Sequence, residues 1–352
     1  MQNLQNMTGC KEEKNFKCLS GLLPEDILEF CNLKEKFRSI QIFEWIAKGS
    51  GLFDNMQNLP VSLRKYLNDN FFIYSSKIDR ILKDPDGTIK LAIELYDGAK
   101  IETVLLFDRN GRKTACVSCQ AGCPLKCAFC KTGTLGFLRN LSAGEIVEQF
   151  FYLENNAGKL DNIVFMGMGE PMLNLTEIKK AIEILTHPKG KNLSKRRITI
   201  STAGVCSGIY KMADSGPNVR LAVSLTAANQ ELREKLMPIA KANPLPALKT
   251  AIRYFNEKSS KRVTLELALM KNINTSYQSA KEIIEFAKGL NCHLNLIPWN
   301  PIEELKFEPP SLNEVKRFAA YLENKNLNIT IRQKHGQTIG GACGQLGSIS
   351  GR

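Results

Sequence analysis

No stretch of this 352-residue chain approaches the ~20 consecutive apolar residues needed to cross a bilayer, which excludes a helical membrane span. A secretory signal segment is lacking too: residues 1–12 are polar, so the chain is expected in the cytoplasm. Neither an internal repeat nor a low-complexity segment occurs, and collagen, coiled coil and small disulfide scaffold are excluded. What remains is ordinary globular composition, 43% hydrophobic and 24% charged, with enough length for roughly two domains at ~150 residues each. Eleven cysteines in a reducing compartment are not expected to form a disulfide framework.

Negative charge is in short supply: 48 Lys and Arg against 35 Asp and Glu leave a net +13. Residues 1–75 hold nine of each sign, so the whole surplus lies in 76–352. Such a surplus favours a polyanionic partner, nucleic acid first, because each neutralised phosphate releases counterions. The run Lys189, Lys191, Lys195, Arg196, Arg197 has no acidic residue between Leu185 and Ile198, which suits either a solvated loop or a phosphate-backbone contact. Lys34, Lys36, Arg38 and Trp45 offer charge and stacking nearer the N-terminus, although Trp45 fits a core position equally well.

Residues 1–75 read as a small helical accessory domain, expected to meet nucleic acid only through those side chains. Pro24 precedes Glu25 and Asp26 as in a helix first turn, with Ile27, Leu28 and Phe30 behind it, and a second helix carries Phe37, Ile40, Phe43 and Ile46 on one face. The period then becomes two: Ile89, Leu91, Ile93 and Leu95 alternate, Asp97-Gly98 makes a tight turn, and Ile101, Thr103 and Leu105 return. This predicts a β-hairpin extension over 76–109. Across 110–352, β-like runs at 115–118, 163–166, 198–201, 221–225, 263–269, 294–298 and 327–331 alternate with amphipathic stretches, the first opened by the capping box Ser142 and Glu145. Six or seven βα units imply an α/β fold with a parallel sheet, open or curled into a partial barrel, and ligands at the strands' carboxyl ends.

Five of the eleven cysteines fall between 116 and 130, and Cys123, Cys127 and Cys130 make a C-x3-C-x2-C motif. Zinc sites usually use two separated pairs, whereas three thiolates suit a 4Fe-4S cluster whose fourth iron stays open to a substrate. A structural site completed by Cys119 or a distant cysteine, or a cluster of thiols with no metal, is the alternative. An expected strand before the motif and Phe129 before its last cysteine favour the open cluster.

These residues resemble the motif of the radical S-adenosylmethionine (SAM) enzymes. More narrowly, Gln120-Ala-Gly-Cys123, Gly136-Phe-Leu-Arg-Asn-Leu141, Phe165-Met-Gly-Met-Gly-Glu-Pro171, Arg197-Ile-Thr-Ile-Ser-Thr-Ala-Gly204, Ile297-Pro-Trp-Asn-Pro301 and Gly341-Ala-Cys-Gly-Gln-Leu346 resemble, in order, the motifs of the adenine-C2 RNA methyltransferases, the RlmN family. The resemblance spans about residues 110–346, with 37–46 similar to that family's N-terminal domain. It implies a partial (β/α) barrel of the radical SAM type with a small helical N-terminal domain and a β-hairpin extension. Its implied reaction is methylation of carbon 2 of adenine in ribosomal RNA and transfer RNA, by a monomer supplied with electrons by a low-potential donor such as flavodoxin. The implied cofactors are a 4Fe-4S cluster and SAM.

By the same resemblance Cys123, Cys127 and Cys130 ligate the cluster, and Gly169, Glu170, Ser201, Ser224, Leu225, Thr226 and Asn300 contact SAM. Cys343 carries the methyl group and forms a transient covalent link to RNA. Cys116 removes the C2 proton and resolves the link by a disulfide with Cys343, which external reductant reopens. Glu102 matches a catalytic base; on composition alone it would be an exposed charge of the hairpin. The glycines around Cys343 would help its loop move.

Three positions depart from the family pattern. Thr226 replaces a usual His, Cys119 replaces a usual Ser, and no acidic residue precedes Ile339. The nearest competing reading is the related adenine-C8 methyltransferase, against which Pro171 speaks, since the C8 relatives typically have Ala there. A non-enzymatic iron–sulfur or zinc RNA-binding protein would explain the charge and the cysteines but leaves Cys343 and the Gly169-Glu170 turn without a role.

Overall fold

The computed structural model describes residues 18–108 and 110–347. The polar stretch 1–12, the outermost ends of the first and last expected domains, and residue 109 lie outside the described residues.

Three helices, α1 (Pro24–Phe30), α2 (Lys36–Ala47) and α3 (Val61–Asn70), make an N-terminal bundle. The buried face of α2 is centred on Ile42, Phe43 and Ile46, while Phe37, expected on that face, is half exposed at 52%. Four strands follow in antiparallel order, β1 (Lys77–Lys83), β2 (Ile89–Glu94), β3 (Lys100–Phe107) and β4 (Lys113–Cys116). The expected hairpin is β2 and β3, turning at Asp97-Gly98. Strand β1 escapes a periodicity search because it is a charged, largely exposed edge strand with one partner only.

After β4 a short ladder of β5 (Gln120–Gly122) and β6 (Phe137–Asn140) encloses the one-turn helix α4 (Lys131–Thr134). The chain then alternates α5 (Ala143–Ala157), β7 (Asn162–Phe165), α6 (Leu175–Thr186), β8 (Ile198–Thr202), α7 (Cys206–Ser215), β9 (Arg220–Ser224), α8 (Gln230–Leu236), α9 (Leu245–Ser259), β10 (Val263–Leu269), α10 (Tyr277–Ala287), β11 (Cys292–Pro298), α11 (Leu312–Glu323) and β12 (Ile329–Ile331). Spatial order follows chain order from β4 through β7 to β12, every neighbouring pair parallel. With β1 and β12 as the two ends of this ten-stranded sheet, the architecture is the expected α/β partial barrel. Strand β4 ends two residues earlier than expected because Ser118 leaves the ladder, its N–H donating to Gln149 Oε1 at 2.8 Å.

Helix α5 is buried on every side over its first eleven residues, against the sheet and the N-terminal bundle. Its capping box forms as expected, Ser142 Oγ accepting from Glu145 N and Ser142 N donating to Glu145 Oε2. On the same helix, fully buried Glu148 accepts from Ser20 Oγ at 2.7 Å, Ser75 N at 2.8 Å and Ser76 N at 3.0 Å. These serines lie at both ends of the bundle, so one carboxylate joins bundle to barrel. Glu148→Ala strands several buried donors at ~1–3 kcal/mol each and should lower stability by ~3 kcal/mol or more, read as a depressed Tm in thermal unfolding.

Candidate active site

The parallel strands deliver their next residues to one edge of the sheet. A cleft of ≈ 960 Å³, counting its open mouth, lies there and is lined by Cys123, Cys127, Cys130, Gly169, Glu170, Ser201, Ser224, Thr226, Asn300 and Cys343. Ten residues singled out in the sequence are thus brought to one place from six segments of chain. A smaller cavity beside it is lined by Cys116, Met166, Asn300, Arg332 and Cys343. Cys343 therefore borders both spaces, with the cysteine loop on one side and Cys116 on the other.

The cysteine loop runs from β5 to α4 and is held at its base by Cys123 N donating to Gly136 O at 2.8 Å and Ala128 N donating to Leu236 O at 2.9 Å. Gly122, with φ of +78°, takes a left-handed turn so close to Gly136 O that a Cβ would collide with it at 2.0 Å. Burial pushes the Cys123 thiol up to about 12 and also raises Cys127 and Cys130. These side chains therefore stay protonated unless a metal draws off the protons. Among the described residues no group of three or more His, Cys, Asp and Glu is placed to hold a single ion. Three thiols that line one cleft and come from one eight-residue loop fit the donor set of an iron–sulfur cluster.

In the same cleft, Gly169 has φ of +104°, and a Cβ there would meet the Gln120 side chain at 2.6 Å, so the turn after β7 needs glycine. Glu170 is 2% exposed; its Oε2 accepts from Ala203 N at 2.8 Å and its Oε1 from Met172 N at 3.0 Å. Burial raises its carboxyl pKa in spite of these bonds. Asn300 Nδ2 donates to Cys343 O at 3.1 Å, whereas its buried Oδ1 has no partner in the protein and faces a cleft that can supply one.

Two sequence-predicted residues stand apart. Leu225 is fully buried in the core and lines neither space; its N–H donates to Glu266 O at 2.9 Å. Glu102 is fully buried as well, not an exposed charge, because β2 and β3 are covered on both faces. It pairs with Lys90 at 3.3 Å and lines neither cavity.

The three departures also find local explanations. Thr226 occupies a left-handed backbone conformation, φ 56°, where a β-branched residue is rare, and its O accepts from Asn274 Nδ2 at 2.9 Å. Cys119 is a buried core thiol whose backbone O accepts from Leu141 N and Asn174 Nδ2, and it does not line the cleft. Thr338, where an acid was expected, gives both N–H and Oγ1 to Asp84 Oδ2, at 2.9 and 2.7 Å; an acidic side chain there would face Asp84.

Sequence reasoning missed Glu266 and Arg332. Glu266 is 5% exposed, lies within β10 and accepts from Ser201 Oγ at 2.8 Å. A lone carboxylate in an otherwise apolar strand run was its available signal. Half-buried Arg332 follows β12, lines both cavities, and has its pKa raised by its neighbours Cys343 first, then Glu266 and Cys116. In return its cation opposes the burial that raises the Cys343 thiol. Burial likewise pushes Cys116 up to about 12, and both thiols are free.

The basic run sits elsewhere. It enters the amino end of β8, whereas Ser201 lies toward the carboxyl end, so its exposed Lys189, Lys195 and Arg196 are on the far side of the sheet from the cleft. Within it Lys191 pairs with Glu154, and Arg197 with Asp161 at 3.2 Å. Trp45 is half-buried and donates from Nε1 to Asn58 Oδ1 at 2.6 Å.

Comparison with known proteins agrees with this geometry. Residues 117–287 match the model of the Radical SAM superfamily. A probable dual-specificity RNA methyltransferase RlmN of Treponema denticola is 67% identical over 96% of this chain and 98% of its own length. A protein of the same description from Treponema pallidum is 57% identical over 95% of this chain and 98% of its own length. A radical SAM methyltransferase from Sphaerobacter thermophilus, known from its crystal structure, superposes with a TM-score of 0.90 at 38% identity, covering 94% of this chain and 99% of that one.

Proposed function

The chain belongs to the RlmN family of radical SAM RNA methyltransferases, and from that premise we propose that it methylates carbon 2 of adenine in both ribosomal and transfer RNA through Cys343 and Cys116. Its cofactors are a 4Fe-4S cluster and SAM. The observation that carries the reading is the position of Cys343 on the border between the cleft and the Cys116 cavity.

Carbon 2 lies between two ring nitrogens and is electron-poor, so it cannot attack a sulfonium methyl as an ordinary nucleophile. The cluster, when bound, supplies the electron that cleaves SAM, and SAM supplies both the methyl group and the hydrogen-abstracting adenosyl fragment. Cys123, Cys127 and Cys130 would hold the cluster. Glu170 offers a carboxylate to the SAM ammonium, the Gly169 turn lets backbone approach, and Asn300 Oδ1, Ser201, Ser224 and Thr226 border the rest. Leu225, turned into the core, would contribute through backbone alone.

Cys343 accepts the methyl group and, after loss of one of its hydrogens, bonds to carbon 2. One electron of the adduct then passes to the redox partner and Cys116, its thiolate favoured by the Arg332 cation, takes the C2 proton. Its sulfur next attacks Cys343 Sγ, the bond from that sulfur to the methylene carbon breaks, and the carbon takes up the proton as the methyl of the released base. The N-terminal domain, expected over 1–75, would bind RNA, with 76–109 as the hairpin extension and 110–352 as the catalytic part. Among the described residues no helix is long and apolar enough to cross a membrane. We place the enzyme in the cytoplasm, as a monomer reduced by a low-potential donor such as flavodoxin.

Pro171 opens a buried 3-10 turn directly after Glu170 and fixes φ beside the cofactor, in keeping with carbon 2 as the target. Incubating unmodified RNA with the loaded enzyme, SAM and reductant should yield 2-methyladenosine on nucleoside chromatography. 8-Methyladenosine as the main product would assign the chain to the other chemistry.

A further inference from the structure

Glu102 matches the family's catalytic base, yet its side chain points at the loop that carries Cys343. We propose that the buried Lys90–Glu102 pair is a latch that holds the Cys343 loop in its methyl-accepting position, so that both are positioning residues and the hairpin extension is part of the active site. The inference rests on the assignment of Cys343 as methyl carrier.

The geometry is a clamp at both ends of one loop. Lys90 Nζ donates to Gly340 O at 3.2 Å, three residues before Cys343, and Gly347 N donates to Glu102 Oε2 at 3.0 Å, four residues after it. Lys90 and Glu102 close the circuit at 3.3 Å with side chains 0% and 1% exposed. Register puts them on the face that bears Cys116: Lys90 is opposite Val104, Val104 is opposite Cys116, and Glu102 lies two residues along β3 on the same side. The clamped points are both glycines at positive φ, 59° and 112°, where the chain can pivot.

The turn between β1 and β2 extends the grip, with Gly336 N donating to Asp86 Oδ2 at 2.9 Å and Thr338 to Asp84. From the barrel side Lys131 N donates to Gly344 O at 2.7 Å and Thr132 Oγ1 to Leu346 O at 2.7 Å. Cys343 is thus suspended between hairpin and cysteine loop. Stability alone gives no reason for the ion pair: apart from Thr103, whose Oγ1 donates to Cys116 O at 2.8 Å, the other fully buried side chains of β2 and β3 are apolar, and a well-packed apolar pair would serve as well as buried charges. A charged pair does what an apolar one cannot, binding a backbone carbonyl and a backbone N–H at two defined points.

The step at stake is methyl transfer to Cys343. A bond forms between Cys343 Sγ and the methyl carbon, the sulfonium–methyl bond breaks, S-adenosylhomocysteine leaves, and the thiol proton passes to solvent. Full-length enzyme with its cluster, given SAM without RNA, is assayed for methylated Cys343 by peptide mass spectrometry, with iron content and SAM affinity measured in parallel. Lys90→Met and Glu102→Gln should each slow methylation about 100-fold, the loss expected for a reacting group displaced by about 1 Å, with iron and SAM binding retained. Lys90→Arg should recover part of the rate, and Lys90→Met/Glu102→Leu should fold as well as wild type yet methylate as slowly as the single variants. Amide exchange at Gly347 should quicken in Glu102→Gln.

Methylation at the wild-type rate in Glu102→Gln, with RNA turnover intact in Lys90→Met, overturns the latch and returns Glu102 to proton transfer. Unchanged exchange at Gly347 overturns it too. Wild-type enzyme with no methyl on Cys343 would instead overturn the proposed function on which the latch rests.

Discussion

Cys116→Ala is expected to accumulate a protein–RNA adduct that it cannot release, whereas Cys343→Ala should form none, and both should make no methylated base. The order of bond making dictates the difference: Cys343 forms the bond to carbon 2, and Cys116 breaks the bond between Cys343 and the base. Both side chains line the same small cavity, and both thiols are raised by burial, so neither is an indiscriminate surface nucleophile. On a denaturing gel an RNase-sensitive band of lower mobility should appear for Cys116→Ala alone. Normal turnover in Cys116→Ala without an adduct would show that another group resolves the intermediate. Peptide mass spectrometry offers a second check, since the methyl or methylene group of the loaded enzyme should be found on Cys343 and on no other cysteine.

The other large effect is loss of the cluster. Anaerobically purified protein should be brown and hold about four irons, and replacing any of Cys123, Cys127 or Cys130 by Ala should bleach it and abolish methyl transfer. Fold should be retained, because these half-buried thiols sit on a loop fastened by backbone bonds to Gly136 and Leu236 and not in the sheet. Iron analysis and visible absorption measure the first effect, circular dichroism the second. A colourless protein with one zinc per chain would sink the enzymatic reading.

Most of the barrel is legible in the sequence. Its strands are apolar runs bounded by turns, and parallel strands buried on both faces carry that signature without needing alternation. The run at 263–269 coincides with β10, while β4, β7 and β9 each lie one or two residues earlier than the runs suggest. For β4 the shift arises because the Gln149 side chain takes over the N–H and C=O of Ser118 that a ladder would otherwise use. Edge strand β1 was illegible because charge on an edge protects it from further pairing and removes the apolar pattern at once.

The cleft divides along the same line. Chemistry set by spacing along the chain was determined by the sequence alone: three thiols within eight residues, a glycine beside a carboxylate after a strand, and a cysteine among glycines. Whatever depended on residues far apart was decided only by the tertiary structure. Lys90 meets Gly340 across 250 positions, and Glu102 meets Gly347 across 245. A charged residue in an alternating hairpin reads as solvent-facing until a second layer covers that face, and a glycine's backbone N–H and C=O carry no side-chain signal. Local spacing survives in the linear chain, but which buried charge meets which backbone group is a property of packing, and it exists only once the sheet has curled and the C-terminal segment has come back across it.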